Sequence, residues 1–143
     1  MTGSSRSVVQ LAVPAGEADP ADVVTVLVCS SCRGAGDPDA LPRAGSLLVA
    51  DARRAAGGEG VAVREVACLG NCKRGLSAAL FRTGCWAYVF GGLGVGSGDD
   101  LVAGARLFTA STDGLLPWRG RPEALKRGLV ARIPHPDILK ELP

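Results

Sequence analysis

A chain of 143 residues with 47% apolar residues has enough material for one domain with a conventional core. A net charge of +2 is too small to mark a nucleic-acid surface, and at 4% aromatics there is little on which to stack bases. Thirteen arginines against three lysines, among abundant Ala, Gly and Val, fit a G+C-rich coding bias better than a phosphate-binding surface. No apolar stretch approaches the eighteen or so residues that a membrane span needs, and no apolar run follows a basic start as in a secretory signal. The expected compartment is therefore the cytoplasm, where thiols stay reduced and clustered cysteines point to metal or redox chemistry rather than structural disulfides.

Residues 1–21 mix Ser, Gly, Pro and acidic residues around one short apolar patch and are expected to form a mobile leader. "VVTVLV" (23–28) is a continuous β-branched run, the pattern of a strand buried on both faces. A helix is expected from Leu41, with Pro42 in its first turn and Leu41, Ala44, Leu47, Leu48, Ala52 and Ala55 on one face. "GGEG" (57–60) should end it, and "VAVREVA" (61–67) reads as a second strand, parallel to the first through a right-handed crossover. "LSAALF" and "CWAYVF", separated by "RTG", read as a hairpin. The loop "GGLGVGSG" then leads to a helix over "DDLVAGARLFTAS", capped by Ser97 or Asp99, and "RPEALKRGLV" supplies one short helix in an Arg/Pro-rich tail. These elements predict one α/β domain, β-α-β-β-β-α with a mixed sheet over residues 22–112, and a C-terminal extension over 113–143.

Four cysteines carry the chemistry. Cys29 and Cys32 in "VCSSCRGAG" follow the first strand, and Cys68 and Cys72 in "ACLGNCKRG" follow the second. Parallel strands put both loops at one edge of the sheet. Neighbouring strands lie about 4.8 Å apart, close enough for thiolates with metal bonds of about 2.3 Å to share a small centre. The glycines expose backbone N–H groups to sulfur, while Arg33, Lys73 and Arg74 would offset an anionic centre. On spacing alone an iron–sulfur cluster, a four-cysteine zinc site and a Cys-x-x-Cys dithiol pair all remain open.

The remaining candidates read more plainly. Cys85 alternates with Ala87 and Val89 and is expected to be a small buried core residue. His135, between prolines, is no partner for a remote nucleophile. The glycine-rich loop lacks the G-x-G-x-x-G register and reads as a connector, not a phosphate cradle. Arg119, Arg121, Lys126, Arg127 and Arg132 read as a solvated cover. No general acid, base or substrate pocket is legible, so no independent enzymatic activity is expected.

The element order, with "CLGNC" after the second strand, resembles the thioredoxin-like 2Fe–2S ferredoxins. "VLVCSSCR", "CLGNCKRG", "WAYVFGGL" and "DGLLPWRGRPEALKRGLVARIP" further resemble a bacterial family of metal-binding proteins associated with cobalamin-biosynthesis gene neighbourhoods. The resemblance covers about residues 22–134. It implies a thioredoxin-like core and a 2Fe–2S cluster held by Cys29, Cys32, Cys68 and Cys72, in an electron carrier or accessory metalloprotein; the positive charges of Lys73 and Arg74 add the expectation of a redox partner with an acidic docking surface. The alternative is a protein that carries zinc or cobalt on the same thiols. The first cysteine pair is spaced more tightly than in those ferredoxins, and Leu76 stands where the bacterial family often has a further cysteine.

Overall fold

The computed structural model describes residues 23–34, 41–58 and 60–143, so the leader expected over 1–21 lies outside the described residues. Among the described residues, five strands form one mixed sheet in the order β2-β1-β3-β4-β5. They are β1 (Val24–Cys29), β2 (Val61–Val66), β3 (Ala78–Phe81), β4 (Ala87–Phe90) and β5 (Leu129–Ile133). The helices are α1 (Ala44–Ala56), α2 (Gly98–Thr109), α3 (Glu123–Arg127) and α4 (Pro136–Leu139). β1 runs parallel to β2, with Cys29 opposite Val66, and antiparallel to β3 on its other side.

α1 and α2 pack against each other and against β1 and β2. Val24, Val26 and Val28 have no exposed surface and meet Leu48, Ala52, Leu101 and Ala105 in the core. Thr25 and Leu27, on the other face of β1, are half-buried. The unbroken apolar run therefore reports a central strand, but one covered by helices on a single face.

α1 begins at Ala44, three residues later than the sequence suggests, with Pro42 outside it and Arg43 at the N-cap position. Its buried face is Gly45, Leu48, Val49, Ala52 and Ala56, while Leu41 and Leu47 are exposed. Gly45 decides that rotation. A Cβ there would run into the Cys29 carbonyl and lie 2.9 Å from the Ser30 carbonyl carbon, so the helix seats its glycine on the cysteine loop. Gly57, left-handed at φ 62°, ends α1.

Neither expected cap serves α2. Ser97 stands at the N-cap position, but its hydroxyl accepts from Gly94 N–H at 2.9 Å. The α2 terminus is capped from a distance by Asp51 of α1, which accepts from Gly98 N–H at 2.8 Å. The C-terminal part of the chain is integral to the sheet. β5 pairs antiparallel with β4, and Leu116 N–H donates to the Tyr88 hydroxyl at 2.9 Å. Arg121, expected in a solvated cover, is buried. It donates to the Leu116 and Pro117 carbonyls, and its guanidinium lies 5.0 Å from the Trp118 ring and 5.7 Å from that of Tyr88. No helix among the described residues is long and apolar enough to cross a membrane.

Candidate metal centre

Three segments meet at the sheet edge beyond the carboxyl ends of β1 and β2. Cys29 closes β1, and its N–H donates to the Ser77 carbonyl at 3.0 Å. Ser30 N–H donates to the Val66 carbonyl at 2.8 Å, and the Ser31 hydroxyl donates to Ala67 O. The first cysteine loop is thus bound to the start of the second. Gly45 N–H donates to Cys32 O at 2.9 Å, and Arg43 Nη1 to Ser31 O at 3.3 Å, so the first turn of α1 clasps the same loop.

The second loop carries Cys68, turns at Gly70 (φ 76°) and enters a 3-10 turn at Cys72–Arg74. Asn71 Nδ2 donates to the hydroxyl of the buried Ser77 at 3.0 Å. The third segment is the glycine-rich loop. Leu93 and Leu76 exchange backbone hydrogen bonds of 3.1 and 3.3 Å, and Gly92 N–H donates to Arg74 O. The expected connector is therefore a backing for the Cys72 turn.

The sulfurs stand as two pairs of different exposure. Cys29 and Cys32 are 2% and 6% exposed, while Cys68 and Cys72 are exposed with their sulfurs 3.9 Å apart. Cys29, Cys32 and Cys72 line one cavity of about 370 Å³ together with Ser31, Arg33 and Arg43. Among the described residues no three Cys, His, Asp or Glu side chains converge closely enough to hold a single metal ion. The Cys29 thiol donates to Ala67 O at 3.5 Å, and Cys68 and Cys72 share one S–H···S hydrogen bond; a metal would displace both contacts.

The surroundings favour negative charge on Cys29 and oppose it on Cys32 and Cys72. Burial works to raise the Cys29 thiol, but hydrogen bonds from the Cys32 thiol, the Leu69 backbone and Ser31 leave it lowered. Burial, together with its hydrogen bond to Cys29, pushes Cys32 up to about 11, opposed by hydrogen bonds from the Ser77 backbone and hydroxyl. The hydrogen bond with Cys68 and the charge of that thiol raise Cys72, with a further contribution from Cys29. Gly70 N–H donates to Cys68 Sγ at 3.2 Å. Sulfurs met by backbone N–H groups and a buried hydroxyl form a donor set suited to an anionic metal–thiolate centre.

Ser77, Asn71 and Arg43 escaped the sequence reading. A lone polar residue in the apolar run "LSAALF" is the signal that would have found Ser77. Cys85 is only half-buried. It precedes β4, whose fully buried side chains are Tyr88 and Phe90 on the opposite face. It lines a separate cavity of about 410 Å³ with Phe81, Ala87, Ile133 and His135. His135 caps α4, its Nδ1 accepting from Asp137 N–H at 3.1 Å.

A mixed sheet with two helices packed together against it and cysteine loops at one edge defines a mixed α/β protein. Residues 26–135 match the family described as a protein of unknown function, DUF1636, and the chain belongs to that family. Its fold is similar to that of a thioredoxin-like [2Fe-2S] ferredoxin from Aquifex aeolicus, with a TM-score of 0.51 at 14% identity over 77% of this chain and 92% of that one. No curated protein matches the chain.

Proposed function

We propose that this protein is a cytoplasmic, ferredoxin-like one-electron carrier in which Cys29, Cys32, Cys68 and Cys72 hold a 2Fe–2S cluster, and that its redox partner, which we assign to cobalamin metabolism on the resemblance, docks through an acidic surface. The observation that carries the proposal is the meeting of two cysteine loops at the carboxyl ends of adjacent parallel strands, with N–H groups of Ser31, Leu69, Gly70 and Ser77 turned toward sulfur. When bound, the cluster supplies a one-electron couple. The chain supplies thiolates, N–H donors that offset their charge, and a cationic rim of Arg33, Arg43, Lys73 and Arg74. Among the described residues none of these four cations forms an ion pair with a carboxylate.

The second reading, carriage of zinc or cobalt on the same thiols, draws on the tight Cys-x-x-Cys spacing of the first pair, which suits a single tetrahedral ion. Iron and acid-labile sulfide analysis of protein purified anaerobically from iron-replete cells separates the two. The proposal predicts brown-red protein with iron and sulfide in equal amounts, about two of each per chain. Colourless protein containing zinc alone would sink it.

A further inference from the structure

Cys-x-x-Cys after a strand is the familiar dithiol spacing, yet the geometry here favours the other pair for thiol chemistry. Disulfide exchange requires a thiol that an external disulfide can reach, and a second thiol close behind it. Cys29 and Cys32 fail the first condition, at 2% and 6% exposed within the loop that α1 clasps. Cys68 and Cys72 meet both. They are exposed, their sulfurs lie 3.9 Å apart, and a bonded pair needs about 2.05 Å, within reach of a side-chain rotation. The three residues between them make this possible. Gly70, left-handed at φ 76°, folds the chain back so that cysteines four positions apart face each other.

We propose that in the metal-free protein Cys68 and Cys72 close to a reversible disulfide by exchange with a small-molecule disulfide such as oxidised glutathione, and that this oxidation blocks metal loading. One cysteine, as thiolate, attacks a sulfur of oxidised glutathione. The S–S bond breaks, one glutathione thiolate leaves, and a mixed disulfide forms. The second cysteine loses its proton and attacks the protein-side sulfur of that mixed disulfide, releasing the second glutathione. The protein gives up two protons and two electrons, and the electrons reduce one glutathione disulfide. A dithiol reductant reverses the sequence. Oxidation thereby removes the exposed half of the ligand set while the buried half stays reduced. The disulfide stands independently of the proposed function, and only its effect on loading rests on that reading.

The test uses the full chain, stripped of metal under reducing conditions, freed of reductant anaerobically and incubated with excess oxidised glutathione. Remaining thiols are alkylated after unfolding, and the links are mapped by peptide mass spectrometry. The expected result is a Cys68–Cys72 link with Cys29, Cys32 and Cys85 alkylated, and a glutathione adduct stalled on Cys68 in Cys72→Ser. A Cys29–Cys32 link, a stable glutathione adduct on the parent protein, or five free thiols would overturn the proposal. The oxidised and reduced forms are then offered iron(II) with sulfide, and zinc(II) in parallel. The oxidised form should take up no metal above background until dithiothreitol restores it. Equal loading of both forms would overturn the block on loading and leave the mapped disulfide standing, whereas a reduced form that loads neither metal would overturn the proposed function.

Discussion

Gly91 illustrates how a single missing side chain supports the cysteine edge. A Cβ at that position would collide with Asn71 Nδ2 and lie 2.7 Å from the Arg74 carbonyl. Asn71 in turn holds the Ser77 hydroxyl, which hydrogen-bonds to the Cys32 sulfur. Gly91→Ala must therefore displace the Cys72 turn, at a cost of about 1–3 kcal/mol for overpacking. Gly94 in the same loop has only an ordinary contact at 3.9 Å to Ser97 Oγ, which makes Gly94→Ala the matched control. Urea midpoints and iron per chain should fall for Gly91→Ala and hold for Gly94→Ala. Equal behaviour of the two would show that the glycine-rich loop does not support the site. The sequence displayed Gly91 without its purpose, because the atoms it makes room for, on Asn71 and Arg74, lie in a different loop well back along the chain.

At the scale of elements, Asp51 joins the two core helices. One carboxylate oxygen caps α2 through Gly98 N–H, and the other accepts from Arg54, which also reaches Asp99 at 3.2 Å. Asp51→Ala should lower unfolding stability by about 1–2 kcal/mol, the usual cost of a lost cap, and leave iron per chain unchanged. A neutral urea midpoint would show that the α2 terminus finds another acceptor. The 3-10 turn Cys72–Arg74 carries the exposed Lys73 and Arg74 beside the cysteines proposed to hold an anionic cluster. Reduction adds a negative charge, which nearby cations favour, so Lys73→Ala/Arg74→Ala should lower the reduction potential by tens of millivolts after solvent screening. Redox titration beside the parent protein checks this, and an unchanged or raised potential would make the two cations solvated loop charges.

The elements also show what was legible and why. β1, β2 and the hairpin were readable because β-branched runs and a short polar turn are local signals. The start of α1 and its buried face were not, since the close approach of Gly45 to the Cys29–Ser30 backbone rotates the helix and no periodicity records that contact. β5 escaped for a related reason. "LVARI" is an edge strand in which four of five residues are exposed, so it lacks the apolar signature that marked the inner strands.

Across the whole molecule, the cysteine edge is built by long-range closure. β1 and β2 deliver two loops to one side, the first turn of α1 clasps the first loop, and the glycine-rich loop backs the second. The sequence named the four cysteines and their common edge, because a parallel crossover fixes where strands end. It could not show that one pair is buried and the other exposed, since that depends on how α1 and the start of β3 pack over the loops. With a pI near 8.4 and a cationic rim around the thiols, encounter with an acidic partner should slow as salt rises.

The central claim is that two separate thiol pairs serve one 2Fe–2S centre, and native mass spectrometry of the anaerobically purified protein tests it most directly. The account predicts a single loaded species carrying two irons and two sulfides. That species should be lost as a whole when any one of Cys29, Cys32, Cys68 or Cys72 is changed to Ser, and retained in Cys85→Ser. One zinc per chain, or loss of half the metal from a single substitution, would contradict it.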